Sequence, residues 1–111
     1  MVTFADGAFI SINPAVHSGE PCIGLSGVLA ELLAKAWWSG MSVQLICKNW
    51  TPLGGVRTRK AHVLVACWYV GKHGSGTWQR RWGEWANEVQ GKLWLSEYDC
   101  PMPPREDRLK P

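Results

Sequence analysis

Trp78, Trp82, Trp85, Val89 and Leu93 follow one another at spacings of 4, 3, 4 and 4. Only a helix brings residues at that spacing onto one side, because its turn holds 3.6 residues. The segment is therefore predicted to be helical. Gly74-Ser75-Gly76 breaks the chain just before it, and Thr77 is positioned to cap its start. Gly83 and Gly91 weaken this helix by roughly 1 kcal/mol each relative to alanine.

Similar punctuation divides the rest of the chain. Ser26 is a candidate N-cap for a helix carrying Val28, Leu29, Leu32, Leu33, Ala36 and Trp37 on one face, stopped by Gly40. Ser42 caps a second, short helix with Val43, Leu45, Ile46 and Trp50, ended by Pro52. After Gly54-Gly55, Thr58 is a third N-cap candidate. The run Ala61 to Val70 that follows suits helix or strand equally, since its valines and aromatics favour a strand and its length permits either. Phe9 to Ile12 reads as a short strand ended by Asn13-Pro14, and Gly19 to Ile23 as loop and a second extended piece. The two form a small hairpin or pair across a dimer. From Cys100 the sequence Pro-Met-Pro-Pro with mixed charges reads as a flexible tail over residues 100–111.

Composition narrows the function classes. In 111 residues there are eight tryptophans but only two phenylalanines and two tyrosines. Trp37, Trp50 and Trp68 fit buried faces. Trp37 and Trp38 are adjacent, so they point about 100° apart and one leaves the core. The formal charge of +3 conceals an uneven distribution. No acid lies between Glu31 and Glu84, whereas Lys35, Lys48, Arg57, Arg59, Lys60, Lys72, Arg80 and Arg81 all do. A one-sign field over half of a small domain points to polyanions first. The longest apolar run, Val63 to Val70, falls well short of the roughly 18 residues of a membrane span. With no signal-like N-terminus, the expectation is a cytoplasmic chain, where the sequon Asn49-Trp50-Thr51 is idle. The four cysteines, 25, 20 and 33 residues apart, contain no C-x-x-C pair; Cys47 and Cys67 sit in apolar patterns and read as buried thiols.

Taken in order, Ile10-Ser11-Ile12-Asn13-Pro14, Gly19-Glu20-Pro21-Cys22-Ile23, Leu32-Leu33 and Gly40-Met41-Ser42-Val43 resemble the family known as domain of unknown function 433. Trp50, Pro52-Leu53, Val63-Leu64-Val65-Ala66 and Tyr69 to His73 extend the resemblance, which covers roughly Phe9 to His73. Gly27 and Leu29 stand where the family carries arginine and proline, and Gln44 and Leu45 replace its usual acids. The resemblance implies a small helix-turn-helix protein, the antitoxin partner of a PIN-type ribonuclease toxin. It makes Ser42 to Trp50 the first helix of the unit and Thr58 to Lys72 the recognition helix. The expected fold is thus mainly α: a short N-terminal β-hairpin or extended arm, then a three- to four-helix, helix-turn-helix-like bundle. Residues 1–75 make the antitoxin-like domain and residues 76–99 a Trp-rich helical extension.

Two candidate sites follow. Arg57, Thr58, Arg59, Lys60 and His62 lie at the start of the proposed recognition helix, where arginine reads guanine edges and lysine neutralises phosphate. Trp78, Trp82, Trp85 and Trp94 form a second apolar surface, expected to be a homodimer or partner contact. Arg80 and Arg81 lie on the opposite, polar side of that helix. His17 with Cys22 is a conceivable ligand pair, but no histidine has a partner at metal spacing. Glu84 and Glu88, one turn apart, read as surface charges. Nothing resembles a catalytic motif, so the expectation is a non-enzyme without metal or cofactor. It binds DNA, or a protein partner through the Trp-rich helix, or single-stranded nucleic acid on its aromatics.

Overall fold

The computed structural model describes residues 8–24, 26–50, 59–74, 76–95 and 100–104; the side chains of Arg59 and of residues 91–95 lie outside the described set. Three two-residue strands come first: β1 (Ile10–Ser11), β2 (Cys22–Ile23) and β3 (Val28–Leu29). They are antiparallel in the order β1-β2-β3, with Ile10 opposite Ile23 and Ile23 opposite Val28. Among the described residues four α-helices follow: α1 (Ala30–Ser39), α2 (Val43–Asn49), α3 (Arg59–His73) and α4 (Thr77–Leu95). The fold is mainly helical behind a small β arm.

The arm has one strand more than the sequence suggested. Ser26 does not cap a helix. Its hydroxyl donates to the Ile23 carbonyl and accepts from the Val28 amide at 3.1 Å. Gly24 and Gly27 flank it at φ of 52° and 75°, a backbone region that side chains disfavour. Together they turn the chain back so that Val28 and Leu29 pair with β2, and α1 starts only at Ala30. A serine followed by apolar residues fits a turn as well as a cap, and here the turn wins.

The other boundaries follow the sequence. Gly40 closes α1 at φ 114°, while the Gly40 and Met41 amides bond back to the Trp37 and Ala36 carbonyls. That is a Schellman end, which glycine makes without strain. Ser42 caps α2 by accepting from the Leu45 amide at 3.1 Å. Trp37 is buried and Trp38 half-buried, as their adjacency requires.

The run Ala61 to Val70 is helical, and α3 is the hub of the molecule, packed against α1, α2, α4 and the strands. Val63, Leu64, Val65, Ala66, Cys67 and Trp68 are consecutive and all buried. Six residues step round more than a full turn, so the middle of α3 has no solvent face. A helix that is apolar all round belongs inside.

α4 crosses α3 at unusually close range. A Cβ on Gly71 would meet the Trp82 carbonyl carbon and oxygen at 2.6 Å, and one on Gly83 would meet the Gly71 oxygen at 2.7 Å. Gly83 is thus no weak point of α4; its missing side chain is what lets the two backbones touch.

All four cysteines are free and buried. Burial pushes the Cys67 thiol well above its usual range, and the Cys22 thiol is raised by burial and by the Glu20 carboxylate. The native chain should therefore react negligibly with a thiol reagent such as Ellman's at neutral pH, and promptly once unfolded in urea. Since the folded state holds its thiol protons more tightly than the unfolded state, this part of the stability is complete below pH 9.0 and declines as the pH rises above it. Urea titrations at pH 7 and pH 10 should show the lower midpoint at pH 10.

Candidate functional site

Of the basic cluster expected at a DNA interface, Arg57 and Thr58 lie outside the described residues, as does the Arg59 side chain. Lys60 and His62 are half-buried in the first turns of α3. Beyond them the helix disappears into the core. A recognition helix lies in a groove along one exposed face, and α3 offers none in its middle turns. Lys72, Arg80 and Arg81 are exposed around the junction of α3 and α4, with the Lys72 ammonium donating to the Asn87 amide oxygen at 2.6 Å.

The tryptophan face also differs from expectation. Trp82 and Trp85, expected on an exposed contact surface, are 1% and 6% exposed within a single chain. Trp78 is half-buried, stacked on Trp38 at 5.5 Å and edge-on to Trp82 at 4.9 Å. The side chain of Trp94 lies outside the described set.

The cover over Trp82 and Trp85 is the segment Cys100–Pro104, read from sequence as the start of a flexible tail. It is packed. Cys100 and Pro103 are buried, Met102 and Pro104 half-buried. Trp85 Nε1 donates to the Pro101 carbonyl at 3.1 Å, Trp82 Nε1 to the Pro104 carbonyl at 2.5 Å, and Trp37 Nε1, reaching from α1, to the Pro103 carbonyl at 3.2 Å. Residues 105–111 lie outside the described set.

The two partners suit each other chemically. An indole is a large apolar body with one donor and no acceptor. A proline contributes a carbonyl acceptor and no N–H. A groove walled by tryptophans accordingly buries the prolines' carbonyls with their bonds made and leaves no proline amide to satisfy. Beside Met102 and Pro104 a surface cleft of about 290 Å³ remains, rimmed by Arg81, Glu84 and Glu88.

A smaller hollow of about 210 Å³ opens between the arm and the ends of α3 and α4, lined by Glu20, Tyr69, Val70, His73 and Gln79. On its α3 side the rings of Tyr69 and His73, one turn apart, are tilted against each other with centroids 4.4 Å apart. Among the described residues no three histidine, cysteine or acidic groups are placed to hold a metal ion. His17 and Cys22 do not form the suspected ligand pair: the His17 ring lies 2.8 Å from the Gly27 carbonyl and the Cys22 thiol points at the Glu20 carbonyl. No helix among the described residues is long and apolar enough to cross a membrane.

No family model matches the chain, and neither a curated protein nor a solved structure matches it.

Proposed function

We propose that the chain is a protein-interaction module, without catalytic activity, whose binding surface is the tryptophan groove between α1 and α4. The observation that carries this reading is the convergence of three indole N–H donors, from two helices, on one strip of backbone carbonyls. The partner class implied by the family resemblance is a PIN-type ribonuclease toxin. Co-purification with the product of the neighbouring reading frame tests it, with Trp85→Phe as the control that keeps an aromatic ring, though a smaller one, and removes the donor. The expected result is a complex with the unaltered chain and at least tenfold weaker capture by the variant, about 1.4 kcal/mol. No complex, or one indifferent to Trp85→Phe, would count against the reading.

A nucleic-acid reading is favoured by a separate observation: the acid-free stretch from Lys35 to Arg81 puts Lys48, Lys72, Arg80 and Arg81 at the surface. It expects duplex binding that weakens steeply with salt, with log K falling about 0.9 per contacted phosphate. The Arg57→Ala/Arg59→Ala double variant should reduce both affinity and that slope in a fluorescence-anisotropy titration. Unaltered weak binding in the variant would remove this reading.

A further inference from the structure

We propose that the tryptophan groove recognises proline-rich segments of a partner protein, and that Cys100–Pro104 is its resident competitor. The inference rests on the interaction-module reading and names the ligand of that surface.

The acceptors follow a pattern. Pro101 and Pro104 are three residues apart, and both bond to α4, through Trp85 and Trp82. Pro103 turns to α1 and accepts from Trp37. A left-handed polyproline helix repeats every three residues. It shows residues 101 and 104 on one edge and residue 103 on another, which is the division between the two helices observed here. Trp82 and Trp85 are likewise three apart on α4 and share a face. Trp85 binds the earlier proline and Trp82 the later one, so the segment runs back against the direction of α4. Prolines at 101, 103 and 104 each fix one backbone angle, and a residue that precedes proline is held extended. The segment thus loses little conformational freedom on docking, which is the advantage that makes proline-rich peptides ligands for aromatic grooves.

Cys100 and Pro103 are buried and anchor the segment, while its polar bonds are of a kind that can be exchanged. No strand ladder or helix ties residues 101–104 to the bundle. The three bonds go to backbone carbonyls, which any proline-rich segment of like spacing supplies. Pro101 is exposed, Met102 and Pro104 are only half-buried, and a cleft bounded by Arg81, Glu84 and Glu88 lies beside them.

The test uses the full chain with its tryptophans labelled with ¹⁵N, as the unaltered protein and as Pro103→Gly, which frees the segment's backbone. Pro104→Gly, at a half-buried position, serves the same purpose should the first variant fold poorly. Two peptides are titrated: one with the sequence of residues 101–104 preceded by alanine, and one with every proline of that peptide replaced by alanine. We expect the indole N–H signals of Trp37, Trp82 and Trp85 to shift with the proline peptide only. Since an occupied groove lowers apparent affinity by the fraction that is open, binding to the glycine variant should be about tenfold tighter than to the unaltered chain. Equal affinity for the two chains would overturn the competitor role. Binding of both peptides alike would overturn the proline specificity and leave the interaction surface standing. Binding of neither, with the three indole signals already shifted in the glycine variant by loss of the segment, would remove the surface as well. Self-association of the variant without peptide would make a second copy, not a partner protein, the occupant.

Discussion

Gly71→Ala should destabilise the fold by about 3 kcal/mol or more, lowering Tm by at least roughly 10 °C. Two effects oppose each other. Alanine is the better helix former by about 1 kcal/mol, so propensity alone would raise the stability. Against it stands the added Cβ, 2.6 Å from the Trp82 carbonyl and 2.9 Å from the Gly83 nitrogen. Those are backbone atoms on a regular helix, and no side-chain rotation can clear them. Only separation of α3 from α4 can, and that loosens the packing of Trp82, Trp85, Ala86 and Val89 along the whole crossing. Gly83→Ala clashes with one atom, the Gly71 oxygen at 2.7 Å, with the Gly71 carbonyl carbon at an ordinary 3.6 Å, and should cost less. Thermal unfolding followed by circular dichroism at 222 nm decides between the two effects: a Tm for Gly71→Ala at or above that of the unaltered chain would mean the helices do not cross as described.

Trp82→Ala is the second large change. Trp82 is the largest of the fully buried side chains and it holds one end of the proline segment. Removing it takes out a ring packed against Trp78, opens a cavity under α3, and leaves the Pro104 carbonyl without its donor. Losses of about 3–5 kcal/mol are typical of such truncations, against a total stability of about 5–15 kcal/mol. The variant should unfold at markedly lower urea, with a weakened near-ultraviolet signal. Trp78→Ala, at a half-buried position, should cost far less. Were Trp82 exposed on the free chain, as its place in the helical stripe suggested, the variant would keep the stability of its monomer.

The contrast shows where sequence reasoning reaches. Local signals were readable: the glycine that ends α1, the serine that caps α2, and the periodic tryptophans of α4. These depend on residues within a few positions of one another. The buried middle of α3 is legible too, in eight consecutive apolar residues, although their β-branched content suits a strand as well as a helix. What escaped depends on partners far apart in the chain. Trp37 and Pro103 are separated by 66 positions, and no spacing rule connects them. A tryptophan stripe looks the same whether it faces a partner or the chain's own prolines. The signal available was one of inventory: many indole donors needing acceptors, and a Pro-Met-Pro-Pro segment with acceptors to offer and few donors. The basic cluster at residues 57–62 was legible as charge. Its geometry depends on residues outside the described set, and the helix it introduces proves to be interior.

That interior helix sets the order in which the chain can assemble. As the chain leaves the ribosome, α1, α2 and the arm can shield only part of α3. The remaining side must wait for α4, and the indoles on α4 for the prolines after it. Until then the most water-averse stretch of the sequence is open to chaperones and to other nascent copies. Expression should therefore be sensitive to synthesis rate and to trigger-factor-like holding proteins, more than the stability of the finished fold would suggest.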